Sequence, residues 1–114
     1  MRQALHPPAA DIAITGVLSA LGDPIRLQIV QILADGAEHT RPDFTVPVGQ
    51  STLSHHMKVL RDAGVVFSRP EGTRCFVSLR PELGQRFPGL LQAVLTAAQD
   101  QPAYPPPGGT DGTG

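Results

Sequence analysis

The stretch Gln50 to Gly64, QSTLSHHMKVLRDAG, decides the fold. Leu53, Met57 and Leu60 recur at the spacing of one face of an α-helix, and the positions between them are mostly polar. The glycine at the end of the stretch can stop the helix, because it adopts the left-handed backbone conformation without strain. The pattern predicts an amphipathic helix over residues 50–63, with its apolar face on a core and its polar face in solvent.

Aspartates mark the starts of two earlier helices, since a short carboxylate can accept hydrogen bonds from the first free N–H groups of a helix. Asp23 is the stronger signal, because Pro24 follows it at the first helical position, where a missing N–H costs nothing. The predicted helices run from Asp11 to Gly22, from Asp23 to Gly36 and, as about one turn, from Thr40 to Thr45.

A hairpin follows the helix over 50–63. Val65 to Phe67 is predicted as one strand, Pro70 to Thr73 as a turn and Arg74 to Leu79 as the returning strand. A last helix is predicted from Pro88 to Ala98. The fold class is therefore mainly α with a small β-hairpin over residues 65–79. Two helices joined by a tight turn and followed by a hairpin form a winged helix-turn-helix.

Two motifs carry a resemblance to a known family. LGDPIRL at residues 21–27 and STLSHHMKVLRDAG at residues 51–64 resemble the ArsR/SmtB family of bacterial repressors, and the resemblance spans roughly Asp11 to Leu95. It implies a DNA-binding transcriptional repressor that dimerises through its first and last helices. The apolar residues that would supply this dimer interface are Ile14, Val17, Leu91, Val94 and Leu95.

The polar face of the helix over 50–63 is predicted to read the major groove of double-stranded DNA, because base edges there are recognised by side-chain donors and acceptors. Cations farther along this helix and beside the hairpin turn suit phosphates or the minor groove. The predicted DNA-binding residues are Gln50, Ser51, Thr52, Ser54, His55, Lys58, Arg61, Arg69 and Arg74. An ordinary solvated helix face, and arginines that merely keep the hairpin soluble, are the plainer alternatives. His56 is assigned to structure.

Length and composition agree with one small DNA-binding domain. The 114 residues suit a single domain, predicted over 11–99, between a flexible arm (1–10) and a disordered tail rich in proline and glycine (100–114). The net charge is −1, but residues 50–80 hold five basic and two acidic residues. No apolar run approaches membrane-spanning length, and the single cysteine suits a reducing compartment, so we expect a cytoplasmic protein.

The signal that the protein answers to is not evident from its sequence. The cysteine pair and the terminal-helix ligands by which many members of the family bind metal are missing, so no metal site and no cofactor are predicted. His39 and Asp43 could form half of a shared metal site, and Cys75 could be redox-active. A small organic effector between the terminal helices, or no effector at all, are the other possibilities. No set of residues suggests an enzyme. A protein-interaction module without a DNA role is the alternative function.

Overall fold

Residues 6–99 are described by the computed structural model of the chain, and they form five α-helices and one β-hairpin. The predicted tail and the first five residues of the predicted arm lie outside this range. The elements in chain order are α1 (Ile14–Leu21), α2 (Pro24–Leu33), α3 (Gln50–Asp62), β1 (Val66–Glu71), β2 (Arg74–Leu79), α4 (Pro81–Arg86) and α5 (Leu90–Gln99). No helix within 6–99 is both long and apolar enough to cross a bilayer.

The second helix begins where the sequence predicts. The Oδ2 atom of Asp23 accepts hydrogen bonds from the backbone N–H groups of Ile25, at 2.9 Å, and Arg26, at 3.0 Å. Four apolar residues of α2 are buried, and the helix contacts both α1 and α3. The three helices thus share one core, whose fully buried members include Ile29, Leu33 and Leu60. This core fixes α3 by its apolar face, because Leu53 and Leu60 are buried while the opposite face is not.

The start of α1 differs from the prediction. Asp11 does not cap this helix; it ends a 3₁₀ turn over Ala9–Asp11, and α1 begins three residues later, after Ala13. Ile12 and Ala13 are extended between the two, and Ile12 is only 1% exposed. The Nη2 atom of Arg86 donates to the carbonyl oxygen of Ile12 at 2.7 Å. The extended segment therefore carries an apolar side chain into the core, where a continuous helix was predicted.

The hairpin has a tighter turn than predicted. Its antiparallel register pairs Val66 with Leu79 and Glu71 with Arg74, so that only two residues, including Gly72 at φ +62°, make the turn. The other edge of β2 is also paired, since Val77 and His39 exchange two backbone hydrogen bonds of 2.8 Å. This bridge, which the sequence did not predict, ties the hairpin to the segment between α2 and α3.

Two further differences lie near the chain's turns. The helix predicted from Thr40 to Thr45 is a 3₁₀ turn over Arg41–Asp43, in which Asp43 accepts a hydrogen bond of 3.4 Å from the N–H of Thr40. The short helix α4 was not predicted; it places Leu83 in the core and displaces the start of the last helix to Leu90.

Candidate nucleic-acid interface

The outer face of α3 is polar and open to solvent. Leu53 and Leu60 are buried on the inner face, whereas the predicted reading residues lie on the exposed side. Each of them is exposed: Gln50, Ser51, Thr52, Ser54, His55 and Lys58. The helix starts after Gly49, whose carbonyl accepts from the N–H of Leu53 at 2.9 Å. Donors and acceptors near the first turns of an exposed helix are what readout of the major groove requires.

The two adjacent histidines have different environments. His55 is exposed, whereas the side chain of His56 is 12% exposed and its Nδ1 atom lies 3.1 Å from Nη1 of Arg26. Burial lowers the pKa of His56, and the negative charge of Asp23 offsets part of this effect. A guanidinium can only donate, so the ring nitrogen accepts this hydrogen bond. Arg26 also donates from Nε to the carbonyl of Ala20 at 2.7 Å. His56 thus links α3 to the α1–α2 junction, which is the structural role predicted for it.

The two cations of α3 are placed differently. Lys58 is exposed and its Nζ atom lies 2.7 Å from Oδ2 of Asp62. Such an exposed pair contributes little to stability, so a DNA phosphate could replace the carboxylate at small cost. The side chain of Arg61 is only 24% exposed, and its Nε atom is buried without a hydrogen-bond partner within residues 6–99. Arg61 therefore lies at the side of the helix and not on its outer face.

The sequence predicts Arg69 as a DNA contact, and in the structure, which contains no DNA, it is paired with two carboxylates. Its Nε and Nη2 atoms donate to the two carboxylate oxygens of Glu38 at 2.9 Å each, and Nη1 donates to Glu71 at 2.6 Å. These bonds raise the pKa of Arg69, and its guanidinium stacks over the ring of Phe76 at 4.7 Å. With its donors shared between two carboxylates, Arg69 holds the wing to the body of the domain. Arg74 is exposed and has no ion pair within the described range.

Arg41 is a cation beside α3 that the sequence prediction missed. It is exposed in the 3₁₀ turn before α3, and its Nη2 atom donates to Oγ of Ser54 at 3.2 Å. The sequence signal that could have indicated Arg41 was its position in the short helix predicted from Thr40 to Thr45, the first helix of the helix-turn-helix. Only the fold reveals that this turn brings Arg41 against the exposed face of α3.

The predicted dimer residues are divided between surface and core. Ile14 is 39% exposed, and Leu91, Val94 and Leu95 of α5 are half-buried. Val17 is corrected, because it is fully buried within one chain and offers no surface to a partner. The exposed apolar residue of α1 one position later is Leu18, at 49%.

His39 lies between two carboxylates. Its Nε2 atom is 2.9 Å from Oδ2 of Asp35, and its Nδ1 atom is 2.9 Å from Oδ2 of Asp43. The hydrogen bond with Asp35 is the main reason that the pKa of His39 is raised, and the bond with Asp43 adds to it. The pair His39 and Asp43, considered above as half of a metal site, is thus joined directly by a hydrogen bond.

The family follows from comparison with known proteins. A family model described as a helix-turn-helix domain matches residues 21–68, which include α2, the turn and α3. The biofilm growth-associated repressor of Agrobacterium fabrum is 31% identical over 98 residues, covering 85% of this chain and 82% of that protein. The chain belongs to the ArsR/SmtB-type family of winged helix-turn-helix transcriptional regulators.

Other relatives agree with this assignment. The arsenic resistance transcriptional regulator ArsR1 of Pseudomonas putida is 28% identical over 102 residues, covering 88% of this chain and 74% of the relative. The crystal structure of the transcriptional repressor BigR from Xylella fastidiosa superposes with a TM-score of 0.61 and 27% identity, covering 80% of this chain and 88% of that one. As a member of this family, the protein is a DNA-binding transcriptional regulator and not an enzyme. This decides against the alternative of an interaction module without a DNA role.

Proposed function

We propose that the protein is a homodimeric repressor that binds an inverted-repeat operator, with α3 of each subunit in the major groove and the hairpin on the flanking groove. The observation that carries the proposal is the outer face of α3, where exposed polar side chains stand opposite the buried Leu53 and Leu60. A helix held to its domain by one face can enter a groove without losing core packing.

The first two turns of α3 supply the base contacts. The amide of Gln50 can pair with the N6 and N7 atoms of adenine, and the methyl group of Thr52 can contact that of thymine. Ser51, Ser54 and His55 offer further donors and acceptors on the same exposed stretch. His56, held by Arg26, is outside this reading set.

Phosphate contacts come from cations around this face. Lys58 on α3, Arg41 in the 3₁₀ turn and Arg74 beside the hairpin turn are exposed and flank the reading residues. Arg61 is half-buried and can contribute only from the edge of the helix. Arg69 would contact a phosphate only by leaving Glu38 and Glu71, two exposed partners, so it contributes less than Arg74. Each phosphate contact adds to the salt dependence of binding without specifying sequence.

A dimer is supported by the apolar surface of the terminal helices. Ile14 and Leu18 expose large apolar side chains on α1, and α5 carries the half-buried Leu91, Val94 and Leu95. If two copies of the chain pair through this surface, its apolar side chains are removed from water, which favours the dimer. A two-fold dimer presents two recognition helices to two half-sites.

Footprinting on the DNA upstream of the protein's own gene, across a range of salt concentrations, tests the proposal. Protection of an inverted repeat with half-sites about 10 base pairs apart, or a multiple of this, is expected. Light scattering on the same sample should give the mass of a dimer. A monomer that protects no sequence in preference to random DNA would refute the proposal.

A further inference from the structure

A cleft of about 670 Å³ opens where the 3₁₀ turn, α3 and the hairpin meet. Its inner side is apolar and is formed by Phe44, Leu53, Met57 and Val77, three of which are buried core residues. Clefts of a few hundred cubic ångströms with an apolar lining and a few polar groups are typical of sites for small organic molecules. The size and lining alone leave the charge of such a molecule open.

The charge at the cleft is one-sided. Arg41, Arg61 and Arg74 line it, whereas no aspartate or glutamate is among the described residues that do so. The Nε atom of Arg61 is buried with no hydrogen-bond partner in residues 6–99, and its ion pair with Oδ1 of Asp62 spans 3.8 Å. At that distance the pair with Asp62 is weak, so an anion in the cleft still meets a positive charge from the Arg61 side chain that lines it. Arg41 and Arg74 are exposed and could close on the same anion from the rim.

We propose that this cleft binds an organic anion, in which one carboxylate or sulfonate meets the arginines and an apolar body, such as an aromatic ring system, lies on Phe44, Leu53 and Met57. The guanidinium groups explain the anionic head, because planar guanidinium groups bind such oxyanions in paired hydrogen bonds. The apolar lining explains the body, since a phosphate of a DNA backbone carries nothing that would cover it.

Occupation of the cleft would oppose DNA binding. Ser54, Arg61 and Arg74 line the cleft and also belong to the predicted DNA-binding set. A molecule held there takes up the charges of Arg61 and Arg74 and crowds the side of α3 beside Ser54. By linkage, a ligand that weakens DNA binding is itself bound more weakly by the DNA complex. This second step rests on the proposed function, whereas the cleft as a binding site does not.

The site is tested by titrating the full chain, without DNA, with 8-anilinonaphthalene-1-sulfonate and following its fluorescence. N-phenyl-1-naphthylamine, which lacks the sulfonate, serves as the uncharged probe. The variants are Arg61→Met and Arg74→Met, of which the second changes an exposed residue and should leave folding intact. Lys58→Met is the matched control, because it removes the same charge from α3 at a position that does not line the cleft.

The sulfonate should bind the wild type and Lys58→Met equally, and bind each arginine variant about tenfold more weakly, as expected for a lost charged hydrogen bond. The uncharged probe should not distinguish the variants. If the sulfonate fails to bind, or if Lys58→Met weakens it as much as the arginine variants do, the cleft is not the site. Binding of both probes unaffected by either arginine variant would place them on another apolar surface and equally overturn the inference.

The DNA arm uses the same probe in competition with a labelled operator fragment. The sulfonate should lower the affinity for DNA of the wild type. Because Arg74 is also a proposed phosphate contact, each protein is compared with its own affinity without the probe, and Arg74→Met should need about tenfold more sulfonate for the same fractional loss. Probe binding in the cleft without any effect on DNA binding would refute the competition while leaving the site intact. A chain that binds the probe but no DNA at all would instead refute the proposed function.

Discussion

The glycine between α3 and the hairpin should be among the positions least tolerant of substitution. Gly64 has φ +85°, and a Cβ atom built on it would lie 2.6 Å from Cγ1 and 2.8 Å from Cδ1 of Ile12. Ile12 is 1% exposed and cannot swing out into solvent. Gly64→Ala would therefore incur about 1–2 kcal/mol for a left-handed L-residue and about 1–3 kcal/mol for overpacking of the core.

The expected loss in the free energy of unfolding is thus roughly 2–5 kcal/mol. Gly72→Ala is the matched control, because Gly72 also has a positive φ, of +62°, but has nothing within 4 Å of an added Cβ. It should lose only about 1–2 kcal/mol. Urea unfolding at one fixed protein concentration measures both variants, since the stability of a dimer would depend on concentration.

A double-mutant cycle isolates the contact with Ile12. Ile12→Ala removes the atoms that the new Cβ would meet, so the double variant should lose less stability than the sum of the two single changes, by about 1–3 kcal/mol. Equal losses for Gly64→Ala and Gly72→Ala, or strict additivity in the cycle, would refute the packing of the N-terminal segment against the junction of α3 and the wing.

Three further predictions concern other parts of the domain. The pKa of His39 is raised above 6.5, so its ion pairs should stabilise the fold fully below pH 6.5 and lose their effect as the pH rises through the raised pKa. The free energy of unfolding of the wild type should therefore fall over this pH range, and that of His39→Gln should not. Asp23→Ala removes the cap of α2 and should lower the free energy of unfolding, measured in urea, by about 1 kcal/mol, and an unchanged free energy of unfolding would rule out the capping role. Leu18→Asp should give a monomer in light scattering, and a persistent dimer would exclude α1 from the interface.

Local signals in the sequence predicted the elements that are proposed to contact DNA. The spacing of Leu53, Met57 and Leu60 fixed both the existence and the orientation of α3, because a helix with one apolar stripe can bury only that side. The start of α2 was equally predictable, since Asp23 and Pro24 act within one turn of the chain. The difference in exposure between His55 and His56 was also predictable, because neighbouring residues on a helix point about 100° apart.

Contacts between distant residues were not predictable in this way. Arg69 and Glu38 are 31 positions apart, and no local pattern indicates that an arginine of the hairpin pairs with a residue near the start of the α2–α3 connection. The bridge between His39 and Val77 was not predictable for the same reason, because its two residues are far apart in the sequence. Val17 fitted an apolar helical face, but only the packing of α1 on its neighbours decides that Val17 faces the core and Leu18 faces out.

The central claim is that the outer face of α3 reads base pairs, and the affinity of Thr52→Ala and Lys58→Ala for operator and random duplexes tests it most directly. Both residues are exposed on α3, so neither change should unfold the protein. Thr52→Ala removes the methyl group that would contact thymine and should lose about 1 kcal/mol on the operator and nothing on random DNA. Lys58→Ala should weaken both and reduce the salt slope by about 1. Equal losses on operator and random DNA for Thr52→Ala, or no preference for the operator in the wild type, would contradict readout by this face.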